Sequence, residues 1–234
     1  MPVREAGRAR VARAAEIGLQ LAIALLAVGA ALALPAKGSS ASSALEPRTL
    51  ARAQAIRAQV NARYRAVPGR ALAVTEASST GVVESFTLMT PDLLETRVLA
   101  ADNGIYYAIC PLRAVCPYPA TRLARPAADR LPRRLALELA LRTFLETSAD
   151  LVAVSLPTPR FIVFIVERAE LAREVNVPAL ADALDGDPSR ALSVSLEGIV
   201  DRVTRPRTFL SFGLEPTPSG RDSWVGLPRW ASAP

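Results

Sequence analysis

The chain contains no histidine. That absence excludes Ser-His-Asp and Cys-His catalysis, the HExxH zinc helix and a histidine pH switch. Lys37 is the only lysine among 28 basic side chains. It stands beside an apolar segment, so a Ser-Lys dyad in the body has no lysine to draw on. The excess of arginine and alanine reads as the bias of a GC-rich bacterial genome, which lowers the weight of any motif built from those two residues. There is no GxGxxG, no phosphate loop and no GxSxG, so nucleotide-binding and α/β-hydrolase chemistry find no support. No cofactor is expected. Aromatic residues make up 5% of the chain.

Cysteine is also scarce. Cys110 and Cys116, in CPLRAVC, are the two in the chain. A structural zinc site wants four ligands, and redox chemistry wants CxxC spacing, so neither reading fits. Outside the cytoplasm the pair reads as a short disulfide loop that stabilises by about 2 kcal/mol. Free thiols are the alternative.

What the chain has in quantity is hydrophobic sequence, 50% of its 234 residues. The longest apolar run is Gly18 to Leu34, GLQLAIALLAVGAALAL, with no charge and one polar side chain, Gln20. As a helix it spans about 25 Å. Arg4, Arg8, Arg10 and Arg13 precede it and Lys37 follows, which places the N-terminus inside and the body outside. Residues 1–70 carry 11 basic and 3 acidic groups, against 17 and 19 in residues 71–234. The formal charge of +6 is therefore a property of the N-terminal region. The body is not a basic nucleic-acid domain.

The expected organisation is a basic cytoplasmic segment (1–16), a transmembrane anchor or signal peptide (17–36), a flexible linker (37–45) and an extracytoplasmic domain (46–234). Ala36-Lys37-Gly38 fits a small-x-small cleavage site, with Ser39 starting a mature chain. Retention and cleavage both remain open. The bilayer, through residues 17–36, is the first expected partner, and an envelope protein the second. The expected location is a bacterial cell membrane.

Residues 46–67 read as a basic amphipathic helix with Leu50, Ala53, Ile56, Val60, Tyr64 and Val67 on one face. Arg48, Arg52 and Arg63 lie on the other, where they could meet an anionic surface. From Arg70 the period changes to 2. Strands are expected over 70–76, 81–89, 95–101 and 104–110, with Ala101-Asp102-Asn103-Gly104 as a type I′ hairpin turn between the last two. Leu131–Ser148 is the strongest helix, and its Arg134, Glu138, Arg142, Glu146 ladder reads as a solvated face. Leu151–Leu156 and Phe161–Glu167 read as strands, the second covered on both faces. A short helix from Asn176 to Gly186 follows, then another from Asp187 to about Thr204. Asp182, Asp185 and Asp187 do not meet the EF-hand pattern and read as helix ends and caps. Strands over 207–214 and 222–226 close the body. The fold class is α+β: one transmembrane helix, then an antiparallel sheet of roughly six to eight strands against about two to four helices.

No sequence feature assigns a reaction. The expected role is a single-pass, membrane-anchored binding or assembly component of a bacterial envelope, and not an enzyme. Tyr106, Tyr107, Arg113 and Tyr118, near the cysteine loop, are the candidate partner contacts, because Tyr and Arg are favoured interface anchors. The alternative is a secreted glycan hydrolase using paired carboxylates, for which Glu84, Asp102, Asp150 and Glu167 are candidates. If the cysteines are bridged, maleimide labels the full chain only after reduction. Labelling without reductant would contradict both the bridge and the outside placement.

Overall fold

A computed structural model describes residues 45–67, 71–89, 96–109, 130–156 and 162–228. The segment 17–36, both cysteines, Arg113 and Tyr118 lie outside the described residues. Among the described residues no helix is long and apolar enough to cross a membrane.

The fold is mixed α+β. Its helices are α1 (Pro47–Arg65), α2 (Arg130–Glu146), α3 (Arg168–Glu174), α4 (Val177–Leu184) and α5 (Val194–Thr204). Its strands are β1 (Val74–Ser79), β2 (Val83–Met89), β3 (Thr96–Ala100), β4 (Gly104–Ile109), β5 (Leu151–Leu156), β6 (Ile162–Glu167), β7 (Thr208–Pro216) and β8 (Asp222–Pro228). Helix α1 begins at Pro47, whose fixed φ suits a first turn. It buries Thr49, Ala53, Ile56, Val60 and Tyr64, one face at helical spacing. Asn176 caps α4 through Ala179 N, as its sequence position suggests. The following helix starts later than expected, at Val194, because Ser193 and not Asp187 supplies the cap. Helix α3 was not foreseen: it follows β6 directly, without a loop signal.

Among the described residues, eight strands form one sheet in the order β1-β4-β5-β6-β7-β8-β2-β3. It is not purely antiparallel, since β4/β5 and β2/β8 run parallel. The first parallel pair follows from a crossover through α2, which returns the chain to the end of the sheet where β4 began. The expected β3/β4 hairpin does not form: β3 pairs with β2, and β4 with β1. Strands β1 and β2 are joined through Thr80–Val82, and Ala101 N donates to Glu84 O at 3.2 Å. The four strands are thus two arms of one long antiparallel ribbon, bent at Thr80–Val82 and Ala101–Asn103. The bend carries one arm into each half of the sheet, so the sheet curls back on itself.

The residues of the expected turn hold this corner. Thr80 Oγ1 donates to Ala101 O at 2.5 Å. Asn103 Nδ2 reaches Ser148 O at 2.8 Å and Asp150 Oδ2 at 2.6 Å, while Asp150 N donates to Asn103 O at 2.9 Å. Arg221 donates to Asp102, Gly81 O and Val83 O. Gly104 is not needed for positive φ, which among the described glycines belongs to Gly220. A Cβ at Gly104 would sit 2.2 Å from Thr80 Oγ1 and 3.0 Å from Leu151 Cδ2. Glycine is required there because two strands approach closely.

Curling creates three layers and two cores. Helices cover the outer face of β1-β4-β5-β6, burying Ile56, Tyr107, Leu137, Val154 and Phe164 among others. The inner face of those strands packs against the β7-β8-β2-β3 half through Phe86, Leu99, Ala153, Ile165 and Trp224. The Phe86 and Trp224 rings meet edge to face at 5.7 Å. Strand β3 lies across one end of this second core, where Arg97 pairs with Glu167 and Glu170. As expected, β6 is buried along nearly all its length.

Gly104→Ala should lower stability by roughly 1–3 kcal/mol, because it overpacks the corner. Gly198, inside α5 with nothing near its Cβ position, offers the opposite case: Gly198→Ala should stabilise by about 0.5–1 kcal/mol. Denaturant midpoints measure both, and equal effects would contradict the packing reason given for Gly104.

Candidate functional site

The charged ladder on α2 is not a solvated face. Glu138 is 0% exposed and Arg134 4%, and Arg142 and Glu146 are half-buried. Leu135, Leu137, Leu139 and Leu141 already point around most of the helix, so from Leu131 to Leu141 α2 is buried on every side and its polar stripe meets α1 and α4. Tyr64 of α1 donates its hydroxyl to Glu138 Oε2 at 3.0 Å. Arg63 of α1 pairs with Glu138 Oε1, which also receives Arg142 Nε at 3.2 Å. Asp185, at the end of α4, accepts from Arg63 at 2.9 Å and pairs with Arg142. One carboxylate thus joins two helices, and a second carboxylate brings in the third.

Arg134 sits beside Tyr64 and donates to Leu184 O, Gly186 O, Pro188 O and Arg190 O. It gathers the orphan carbonyls that follow α4, a task the planar five-donor guanidinium can perform and an ammonium cannot. Arg168 plays the same part at the other end of α2. It donates to Phe144 O, Thr147 O and Ala149 O, with its guanidinium 5.1 Å from the Phe144 ring centre. Burial pushes the Tyr64 phenol up to about 12 and the Tyr107 phenol higher still. Both therefore remain neutral donors at any physiological pH. Burial, and then the neighbouring Arg142, push the Arg63 guanidinium down.

The sequence-chosen residues fall in several places. Tyr107 is 0% exposed, with its hydroxyl 2.8 Å from Thr143 Oγ1. It is a core residue and has no surface to offer a partner. Tyr106 faces the other side of β4, half-buried, hydrogen-bonded to Ser155 and opposite Ser78 of β1. Glu76, beside it on β1, bonds Ser78 Oγ at 2.9 Å. Tyr106 thus packs its ring against the second core, and its hydroxyl joins the buried Ser155 near Ser78 and the exposed Glu76. Arg48 is exposed at the start of α1. Arg52 pairs with Glu146, and Arg63 is taken up by the buried seam.

The carboxylates weighed for hydrolysis are each held by separate partners. Glu84 accepts from Thr217 and Ser219, bonds that hold its carboxyl below the usual range. Asp102 accepts from Arg221, Asp150 from Asn103 and Glu167 from Arg97. Among the described residues no group of three or more His, Cys, Asp or Glu could hold a metal ion. Asp185 ends α4, as expected of a helix-end aspartate, and Asp187 accepts from Ser189 N at 2.8 Å.

What sequence reasoning missed is the seam itself. Its signal was present: a helix apolar at i, i+2 and i+4 leaves only a narrow charged stripe, and α1 carries the matching Arg63-Tyr64 pair. Tyr64→Phe removes a charge-assisted bond to a buried carboxylate and should cost about 2 kcal/mol. The raised phenol fixes the pH dependence. Below pH about 10 the hydroxyl is protonated in folded and unfolded chains, so its contribution is complete; it is lost as pH rises from there toward 12. Ultraviolet titration should show Tyr64 and Tyr107 ionising only as the fold is lost. All four tyrosines titrating near pH 10 in a folded chain would contradict this.

No family model matches the chain, and neither a curated protein nor a solved structure is similar to it.

Proposed function

We propose that this chain is a single-pass, membrane-tethered component of a bacterial envelope whose extracytoplasmic body binds or assembles with another envelope protein. The observation that carries the reading is the uncharged run Gly18–Leu34, with four arginines before it and a body of nearly balanced charge after it. The body supports it in two ways. The ionisable groups of α1, α2 and α4 are used in holding helices together, and the four carboxylates weighed for hydrolysis are separately tied. A tethered scaffold needs such groups for rigidity and not for proton transfer. Of the expected contact residues that are described, Tyr107 is buried and Tyr106 is half-buried, its ring packed against the second core.

Alkaline extraction of membranes from cells making the full chain tests the tether. The protein should remain in the pellet and retain residues 1–16. A soluble product beginning near Ser39 would overturn the tethered reading in favour of a released protein.

A further inference from the structure

We infer that Asn103-Gly104 is a deamidation site gated by the sheet corner: the closed corner blocks the reaction, and the reaction, once it has occurred, removes the lock that blocked it. The asparagines of the chain are Asn61, Asn103 and Asn176, and they precede Ala62, Gly104 and Val177. Asn103 alone is followed by a residue without Cβ. The backbone nitrogen of Gly104 can therefore approach the preceding side-chain amide with the least steric hindrance.

The chemistry needs water and a solvent base. The Gly104 nitrogen gives up its proton and bonds to Asn103 Cγ. The Cγ–Nδ2 bond breaks, and ammonia leaves with a proton taken from water. A succinimide ring remains. Water then opens the ring at either carbonyl and leaves aspartate, or its β-linked isomer, at position 103. The sum is water consumed and ammonia released, with no change of oxidation state. Asn103 is half-buried, so water reaches it, and conformation is what limits the step.

Ring closure holds the ψ angle of Asn103 in a region that unstrained L residues rarely occupy. The carbonyl of Asn103 lies in one plane with the Gly104 nitrogen, so the two turn together. That carbonyl accepts from Asp150 N at 2.9 Å and Leu151 N at 3.4 Å. The side-chain amide is held as well, with Nδ2 donating to Ser148 O at 2.8 Å and Asp150 Oδ2 at 2.6 Å. Gly104 is buried, and even a Cβ there would lie 2.2 Å from Thr80 Oγ1 and 3.0 Å from Leu151 Cδ2. A displaced backbone has no room. The reaction waits for the corner to open.

The product does not fit the closed corner. Aspartate at position 103 has no donor for Ser148 O and sets a second carboxylate against Asp150, a like-charge contact. Arg168 stands 3.9 Å from Asp150 Oδ1, but its donors are taken up by Phe144 O, Thr147 O and Ala149 O. The β-linked isomer adds a methylene to the main chain next to the crowded Gly104.

Incubation of the full-length chain in mildly alkaline detergent buffer, folded and in guanidinium, followed by peptide mass spectrometry, tests this. In guanidinium the Asn103 peptide should convert ahead of the Asn61 and Asn176 peptides. In the folded chain its conversion should be slower by about tenfold or more, the ratio of closed to open corner. Asp150→Ala keeps the backbone bond to Asn103 O and removes one acceptor of the amide. It should raise the folded-chain rate at Asn103 by about threefold or more and leave Asn61 and Asn176 unchanged. Asn103→Asp should lower the folding equilibrium constant by about tenfold. Conversion of Asn61 or Asn176 ahead of Asn103 in guanidinium would overturn the site. Equal rates in folded and unfolded chain, or an Asp150→Ala effect that is absent or shared by all three asparagines, would overturn the gate. An unchanged folding constant for Asn103→Asp would overturn the loss of the lock.

Discussion

The buried carboxylate of Glu138 is the interaction on which the helical layer depends. It lies in the middle of α2 with no exposure and takes a hydroxyl from Tyr64 and guanidinium groups from Arg63 and Arg142. A lone charge there would be prohibitive, because desolvation costs several kcal/mol per ion. The charge is tolerable only with its partners in place, and two of the three come from α1. An enclosed ion network adds little net stability compared with an apolar one. Its effect is on arrangement: α1 can pack on α2 in the register that presents Arg63 and Tyr64 to Glu138, and other registers leave an unpaired ion.

The same economy of means recurs wherever a chain end must be buried. Arg134 collects the carbonyls after α4, and Arg168 those at the end of α2. Arg207 reaches Val203 O, Glu174 and Glu170, tying α5 to α3. Arg133 pairs with Asp201 of α5. In a chain whose one lysine lies outside the body, these positions use the donor geometry that only guanidinium offers. An arginine-rich composition, read first as genomic bias, thus has structural employment in the helical layer. The sheet solves its own problem differently. Its corner is a bent ribbon locked by Thr80, Asn103 and Arg221, and the two halves close over Phe86 and Trp224.

The sequence was legible where the determinants are local and apolar. The α2 helix and strands β5 and β6 stand out because long apolar runs at one period fit little else. The Asn103-Gly104 signal was misread for a physical reason. Turn chemistry reports local backbone preference, whereas pairing is set by what lies alongside, here β1 and β5 for β4 and β2 for β3. Gly104 is glycine because Thr80 is too close, a contact between residues far apart in sequence. The ladder on α2 was misread because the four-residue spacing of charges is the same on a wet face and in a buried seam. The distinction lies on α1 and α4. For the candidate contacts, periodicity within β4 separated Tyr106 from Tyr107 in principle, since neighbours on a strand face opposite ways. Which of the two faces would be the helix-covered one followed only from the curled sheet.

The docking of α1 on α2 is what makes the helical layer one unit. Native-state hydrogen exchange, read by mass spectrometry on the body with α1 included, measures that docking most directly. Amides of α1 and α2 should exchange through the same opening, with the free energy of global unfolding, because the Glu138 network and the shared core make them one cooperative unit. Exchange of α1 through a separate, lower-energy opening, while α2 stays protected, would contradict it.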